Sequence, residues 1–245
     1  MDIIYKNVSV LYENKKRDII TALDDISLSF VSNKINVIVG PSGCGKTSLV
    51  KCLTGEIIYE GQILFNGQDL EKIDIKKRNI SFINEEYTLL PNISVYDNIA
   101  FPLRLMKMDH DEADKKIKQI TELLEINFLL TRKTKNLSLG QISRVILAKS
   151  FVKNSDLYIF DEANRNLDED NRKKINRYIK EKLNGKTVIY VTHDIKEALS
   201  VADFIYVFDN AKFIDKFTPM EFLNSKLEVV QNLLSDVKHE EETVF

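Results

Sequence analysis

Short apolar runs rich in β-branched residues alternate along this chain with segments of helical period. Val8–Tyr12 and Ile26–Phe30 read as N-terminal strands. Ile35–Val39 is a short β-branched run ending at Gly40, the pattern of a buried strand feeding a loop. Ser48–Thr54 reads as the start of a helix, and Gly61–Phe65 as a strand with Asn66-Gly67 as a tight turn. Ile80–Ile83 is a further short strand.

The middle of the chain changes period. From Asp109 to about Leu130, Ala113, Ile117, Ile120, Leu123 and Leu124 recur at helical spacing, with Asp109 and Glu112 placed as a capping box. A second helix is predicted from Gln141 to about Lys153. Strands then resume at Asp156–Phe160 and Thr187–Thr192, with helices at Glu169–Leu183 and Ile195–Ala202. Phe204–Phe208 and Lys212–Phe217 read as a hairpin. The tail from Pro219 is predicted helical and frayed at Glu240-Glu241-Glu242. Strands alternating with helices predict an α/β sheet.

Composition changes this picture little. The formal net charge is −2, so nothing points to a nucleic-acid surface. The basic clusters Lys76-Lys77-Arg78 and Arg172-Lys173-Lys174 read as solvated faces. Two cysteines, Cys44 and Cys52, make no disulfide framework and fit reduced thiols. No signal peptide is expected at Met1-Asp2-Ile3-Ile4-Tyr5, and no run approaches a membrane span.

The candidate chemistry begins at residues 40–47, Gly-Pro-Ser-Gly-Cys-Gly-Lys-Thr, a complete P-loop. Its glycines let backbone N–H groups wrap phosphate oxygens, and the helix that follows turns its positive end to the anion. Lys46 supplies a point charge toward the β- and γ-phosphates, and the Thr47 hydroxyl is placed for Mg²⁺. The expected nucleotide set is Gly40, Pro41, Ser42, Gly43, Cys44, Gly45, Lys46, Thr47 and Ser48. A second element, Leu157 to Glu162, is an apolar strand that delivers two carboxylates at its C-terminal end. Asp161 is expected to hold Mg²⁺ through water, and Glu162 to polarise the water that attacks the γ-phosphate. Cys44 inside the loop raises the expectation of thiol-sensitive activity.

With Leu137-Ser138-Leu139-Gly140-Gln141 placed between these two elements, the chain resembles the ATP-binding subunit of an ABC transporter. The family signature is Leu-Ser-Gly-Gly-Gln, and only Leu139 differs. Arg144-Val145, Ala148-Lys149, the Asp168 of Arg165-Asn166-Leu167-Asp168, and Val191-Thr192-His193-Asp194 fit the same family. The resemblance implies a P-loop NTPase (RecA-like) core with an N-terminal antiparallel β subdomain, about 1–85 and 154–220. It implies an inserted α-helical subdomain at about 86–153 and a helical tail at about 221–245. It also implies that Tyr12 stacks on adenine and that His193 contacts the γ-phosphate. Ser138, Gly140 and Gln141 would cap ATP held by the opposite subunit, and Asp168, matching the family's D-loop, would join the nucleotide-binding residues.

Three positions depart from the family. Glu85 stands where a Gln contacts Mg²⁺ and the attacking water, Leu139 replaces a glycine, and Arg165 replaces a small residue. These predict active but slow hydrolysis, or membership of an asymmetric pair.

The segments Lys77–Ile80, Leu90–Leu103 and Ile189–Asp194 look most like importer ATPases of the maltose, multiple-sugar and polyamine kind. In such proteins the region near 85–104 receives a coupling helix of the membrane subunit. The implied cofactors are ATP and Mg²⁺. The implied partners are transmembrane permease subunits and a second ATP-binding subunit, identical or not, on the cytoplasmic face of the cell membrane. Those importers carry a further C-terminal β-domain, which is not expected here, so other importers or a small exporter ATPase stay open. The alternatives are a catalytically weak member of a pair and a non-transport ABC ATPase.

Overall fold

The computed structural model describes residues 1–13, 17–84, 89–163 and 167–242. In chain order the strands are β1 (Ile3–Glu13), β2 (Ile19–Phe30), β3 (Ile35–Val39), β4 (Glu60–Phe65), β5 (Gln68–Asp69), β6 (Ile80–Asn84), β7 (Leu157–Asp161), β8 (Thr187–Val191), β9 (Phe204–Asp209) and β10 (Lys212–Phe217). The helices are α1 (Lys46–Thr54), α2 (Val95–Leu105), α3 (His110–Leu123), α4 (Leu139–Phe151), α5 (Glu169–Lys182), α6 (Ile195–Val201), α7 (Pro219–Asn224) and α8 (Glu228–Glu242). Two compact units result. One holds Met1–Ile80, Asp156–Asp161 and Asn176–Phe245; the other holds Ser81–Ser155 and Glu162–Ile175.

The first unit contains two sheets. One is antiparallel, in the order β2-β1-β4-β5. The other runs β10-β9-β3-β8-β7, with β9, β3, β8 and β7 parallel and β10 returning antiparallel as the second arm of a hairpin. Every residue of β3, β7 and β8 is buried. That explains their continuous apolar runs, since a parallel strand is covered on both faces. Asn36 is the polar exception in β3. It is fully buried, its amide donates to the carbonyls of Val31, Lys34 and Val188, and its Oδ1 accepts from Val31 N–H and the Tyr206 hydroxyl. A buried amide is tolerated only when satisfied in this way.

β1 and β2 are much longer than the predicted Val8–Tyr12 and Ile26–Phe30. The apolar alternation that marks a strand is broken in β1 by register shifts between Tyr5 and Val8 and again near Val10. Asn7 sits in the break with φ 50. A bulge moves the following residues to the other face, so the period-2 signal is lost although the strand continues.

Arg78 departs from the expected solvated basic face. Lys76 and Lys77 are exposed, but Arg78 is buried and donates to the carbonyls of Leu53, Leu70 and Ile73. It thereby satisfies a carbonyl in the last turn of α1 that has no helical partner.

In the second unit α2, α3 and α4 bury Val95, Ile99, Leu103, Ile117, Ile120 and Val145. Asn98 brackets the chain at Leu90, accepting its N–H and donating to its carbonyl. Asp109 caps α3, accepting from the N–H groups of Asp111 and Glu112. The helix predicted to run to about Leu130 stops at Leu123. Glu125 takes φ 54, and a 3-10 turn at Asn127–Leu129 carries the apolar residues that prolonged the helical pattern. The tail is also interrupted, between α7 and α8, and α8 continues through Glu242, where fraying was expected.

The chain is sparing with glycine, and asparagine takes many of its left-handed turns. Among the described residues Asn7, Asn33, Asn66, Asn79, Asn154 and Asn210 all have positive φ. Asn visits this region more readily than other residues with a side chain.

Candidate functional site

The loop 40–47 joins β3 to α1 as its motif demands. Gly45 is the N-cap of α1 with φ 102, and neither a side-chain cap nor an acidic residue occupies the first turn. The N-terminal amides of α1 are thus left to an anion, and the helix dipole favours one there. Pro41, Ser42 and Gly43 are exposed, and beside Gly43 a Cβ would meet nothing within 4 Å. Gly40 is buried against the Phe208 carbonyl. At Gly45 a Cβ would lie 2.1 Å from the Ala22 carbonyl. Gly45→Ala is therefore expected to destabilise the fold by about 2–4 kcal/mol, from the left-handed backbone and the overlap together. Denaturant unfolding checks this, and an unchanged midpoint would contradict the close approach.

Lys46 is buried, and its Nζ donates to the carbonyls of Gly40 and Pro41, each at 2.8 Å. The same Nζ lies 3.8 Å from Cys44 Sγ. Burial pushes the Cys44 thiol up, and the Lys46 charge beside it opposes that rise only in part. Cys44 is accordingly a buried, protonated thiol near neutral pH, a poor nucleophile toward alkylating agents.

Thr47 and Asp161 meet. The Thr47 hydroxyl donates to Asp161 Oδ1 at 3.2 Å, from the first turn of α1 to the last residue of β7. Asp161 is buried. A hydroxyl and a carboxylate held together are hard oxygen donors, and they fit Mg²⁺, which takes few protein ligands and completes its shell with water and phosphate oxygens. Tyr12 and Ser48 also meet, their hydroxyls 3.2 Å apart, with Tyr12 partly exposed on β1. This brings Tyr12, the ring expected to stack on adenine, to the helix that follows the phosphate loop, a pairing invisible across the intervening sequence.

Glu162 follows Asp161 directly, is half-buried, and has φ 50. A non-glycine residue pays for that backbone, and such outliers concentrate at functional sites. His193 is exposed on the turn between β8 and α6. The N–H of Thr192 beside it donates to the Ile38 carbonyl of β3, the strand that feeds the phosphate loop. Around this turn the hydroxyls of Tyr190 and Thr192 donate to the Glu197 carboxylate. The sequence segments containing Tyr190 and Thr192 match the family, but neither they nor Glu197 carry a role of their own in the sequence. Glu197 stands three residues beyond Asp194, the N-cap of the helix that follows His193.

In the second unit Ser138 and Gln141 form a capping box at the start of α4. Ser138 Oγ accepts from Gln141 N–H, and Gln141 Oε1 accepts from Ser138 N–H. Ser138 Oγ is used as an acceptor, which leaves its O–H to donate outward. Gly140 lies in the first turn, and Leu139 is 70% exposed beside it. Asp168 accepts from the backbone and side-chain N–H groups of Asn171, which hold its carboxyl below the usual carboxylate range. Glu85 and Arg165, both singled out in the sequence, lie outside the described residues.

The loop, its carboxylate strand and the capped α4 helix now have a match among known proteins. A family profile described as ABC transporter matches residues 23–165. The chain belongs to the ABC transporter family. As an ABC protein it is an ATP-binding cassette, and its relatives are named accordingly. It is 33% identical to the sulfate/thiosulfate import ATP-binding protein of Pectobacterium atrosepticum, over 95% of this chain and 74% of that one. It is 39% identical to the molybdate/tungstate import ATP-binding protein of Pyrococcus abyssi, over 74% of this chain and 54% of that one. It is 35% identical to the maltose/maltodextrin import ATP-binding protein of Vibrio parahaemolyticus, over 80% and 54%. The cassette thus spans roughly half to three-quarters of the length of these curated relatives. A solved dimeric ATP-binding cassette in a post-hydrolysis state, bound to ADP and Pi, superposes with a TM-score of 0.80 at 25% identity, covering 89% of this chain and 98% of the other. Among the described residues no helix of this ABC protein is long and apolar enough to cross a membrane.

Proposed function

We propose that this ABC protein hydrolyses ATP in a nucleotide-sandwiched dimer on the cytoplasmic side of membrane permease subunits, and that its closure and opening drive import. The observation that carries this reading is the Lys46 and Thr47 loop held on a buried strand beside Asp161.

The α1 amides and the Lys46 ammonium bind the triphosphate. The Tyr12 ring stacks on the base, an interaction typically contributing about 1–3 kcal/mol. Thr47 and Asp161, with Glu85, hold Mg²⁺, which when bound neutralises charge on the β- and γ-phosphate oxygens. Glu162 takes the proton of the attacking water, and His193 donates a hydrogen bond toward the γ-phosphate. Ser138, Gly140 and Gln141 of a second copy cap the nucleotide, with Asp168 at the same contact. ATP then favours the closed dimer by its differential affinity for that state, and loss of the γ-phosphate contacts releases it. The first unit serves as the ATP-binding core and the second as the helical subdomain.

Phe101, Leu105 and Met106, exposed on or just beyond α2, support a docking surface there for a membrane subunit. The relatives named above serve two kinds of oxyanion and a sugar at comparable identity. Such unlike cargo supports a motor common to them all, with cargo selected by other subunits.

If the site is completed in trans, specific activity of the full chain should rise with protein concentration until the dimer is saturated. Steady-state phosphate release over a dilution series measures this. A specific activity that stays constant on dilution, with the protein monomeric throughout by sedimentation, would sink the two-subunit site.

A further inference from the structure

We infer that Glu197 is a positioning residue for His193, fixing the turn that presents the imidazole. The inference rests on the reading of His193 as a γ-phosphate contact, and deepens it.

A closed ring of hydrogen bonds surrounds the turn. The Glu197 N–H donates to Asp194 Oδ1 at 3.0 Å. The Asp194 N–H donates to Thr192 Oγ1 at 3.1 Å. The Thr192 hydroxyl donates to Glu197 Oε2 at 2.8 Å. His193 is enclosed by two of the three, the Asp194–Thr192 and Thr192–Glu197 bonds, and its side chain is exposed. The ring is anchored at two further points. Tyr190, 1% exposed, donates its hydroxyl to Glu197 Oε1 at 2.7 Å, and its ring stands 5.5 Å from that of Phe160, the residue before Asp161. The Thr192 N–H donates to Ile38 O at 3.2 Å, two residues before Gly40.

Helix capping alone does not explain this arrangement. Asp194 already caps α6 by accepting the Glu197 N–H. Glu197 stands at the third helical position, from which a capping-box carboxylate reaches back to the cap amide. Here the Asp194 amide is taken by Thr192, and both Glu197 oxygens receive hydroxyls of the strand end. An ionised carboxylate is acceptor-only, so it can take both hydroxyls at once. Its two bonds tie the start of α6 to the end of β8, the two elements whose junction carries His193. Bonds of this type to a charged acceptor are the strong ones. They remove backbone freedom from the turn before nucleotide arrives.

The test compares Glu197→Ala, Glu197→Gln, His193→Ala and the double variant Glu197→Ala with His193→Ala in the full chain. The chain has three histidines, so the His193 Cε1–H proton resonance is assignable by its loss in His193→Ala. Glu197→Ala should shift or broaden that resonance and leave the His110 resonance in place. It should lower kcat about tenfold to a hundredfold, the scale of loss for a misplaced reacting group. ATP affinity should hold within about twofold, since the phosphate loop is untouched. In the His193→Ala background the same change should add almost nothing, because residues that act as a unit are not additive. Glu197→Gln keeps the shape and one acceptor oxygen, so it should recover part of the loss and report on folding if the alanine variant is unstable.

An unmoved His193 resonance overturns the inference. So do equal losses of kcat in both backgrounds, which would mark a general structural role. If the resonance responds to Glu197→Ala while His193→Ala keeps full turnover, the positioning stands and the γ-phosphate role of His193 falls.

Discussion

Glu162→Gln should abolish ATP turnover while leaving ATP bound. The substitution keeps the length and shape of the side chain and one oxygen, and removes its ability to accept a proton. A positioned general base contributes about 10²- to 10⁴-fold, which sets the expected loss in kcat. The backbone distinguishes this carboxylate from its neighbour. Asp161 ends β7, buried, with its Oδ1 on the Thr47 hydroxyl, so it is committed to that contact. Glu162 is half-buried, and its φ of 50 turns the chain sharply out of the strand. For a residue with a side chain that conformation costs roughly 1–2 kcal/mol. Phosphate release and an equilibrium nucleotide titration of the same preparation provide the check. Full turnover would remove Glu162 from the chemistry. Loss of both turnover and binding would assign it to the architecture instead.

The second large effect is expected at Lys46→Ala. Its ammonium donates to two carbonyls of its own loop, so the substitution removes a charge from the phosphate site and also leaves Gly40 and Pro41 oxygens without that donor. Hydrogen bonds to charged groups contribute about 1.5–3 kcal/mol, which corresponds to roughly a tenfold to hundredfold loss of nucleotide affinity. Thermal unfolding without nucleotide should fall as well, because the loop loses its internal brace. Calorimetric titration with ATP measures the first and a melting curve the second. Unaltered affinity would refute the role of Lys46 at the phosphates. Reduced affinity with an unchanged melting temperature would show that the two carbonyl bonds add nothing to the unliganded loop.

The contiguous parts of the site were legible because each is a local pattern with one physical solution. Ile35–Val39 could only be a buried strand, and Gly40–Thr47 could only be a loop closing on a helix. Leu157–Glu162 likewise had to bring carboxylates to a strand end. The relations among these parts were not legible. Tyr12 meets Ser48, and Tyr190 meets Glu197, through side-chain hydroxyls whose partners are set by the sheet, and a hydroxyl carries no sign of where it will point. Helix ends failed for a related reason. The helix at His110–Leu123 stops without glycine or proline, at Glu125 in a left-handed turn, and the apolar residues beyond it kept the period alive. The helix at Val95–Leu105 was folded into a broad helical region and never delimited. Pro102 lies inside it, and the helix runs on through Leu105. The departures at Glu85 and Arg165 fall on segments outside the described residues, so only Leu139 could be placed among the three.

The asparagine turns bear on how long the protein lasts, as distinct from how tightly it folds. Asparagine amides are among the thermolabile side chains that heat-adapted proteins avoid. Among the described residues six of them hold left-handed corners, and Asn66 and Asn210 sit in the tight turns of two hairpins, with Asn66 Oδ1 also accepting the Asp2 N–H. Conversion of such an amide to an acid is irreversible and proceeds in the folded state. Loss of this protein on prolonged warming therefore has a chemical route that follows elapsed time, and a melting temperature does not measure it.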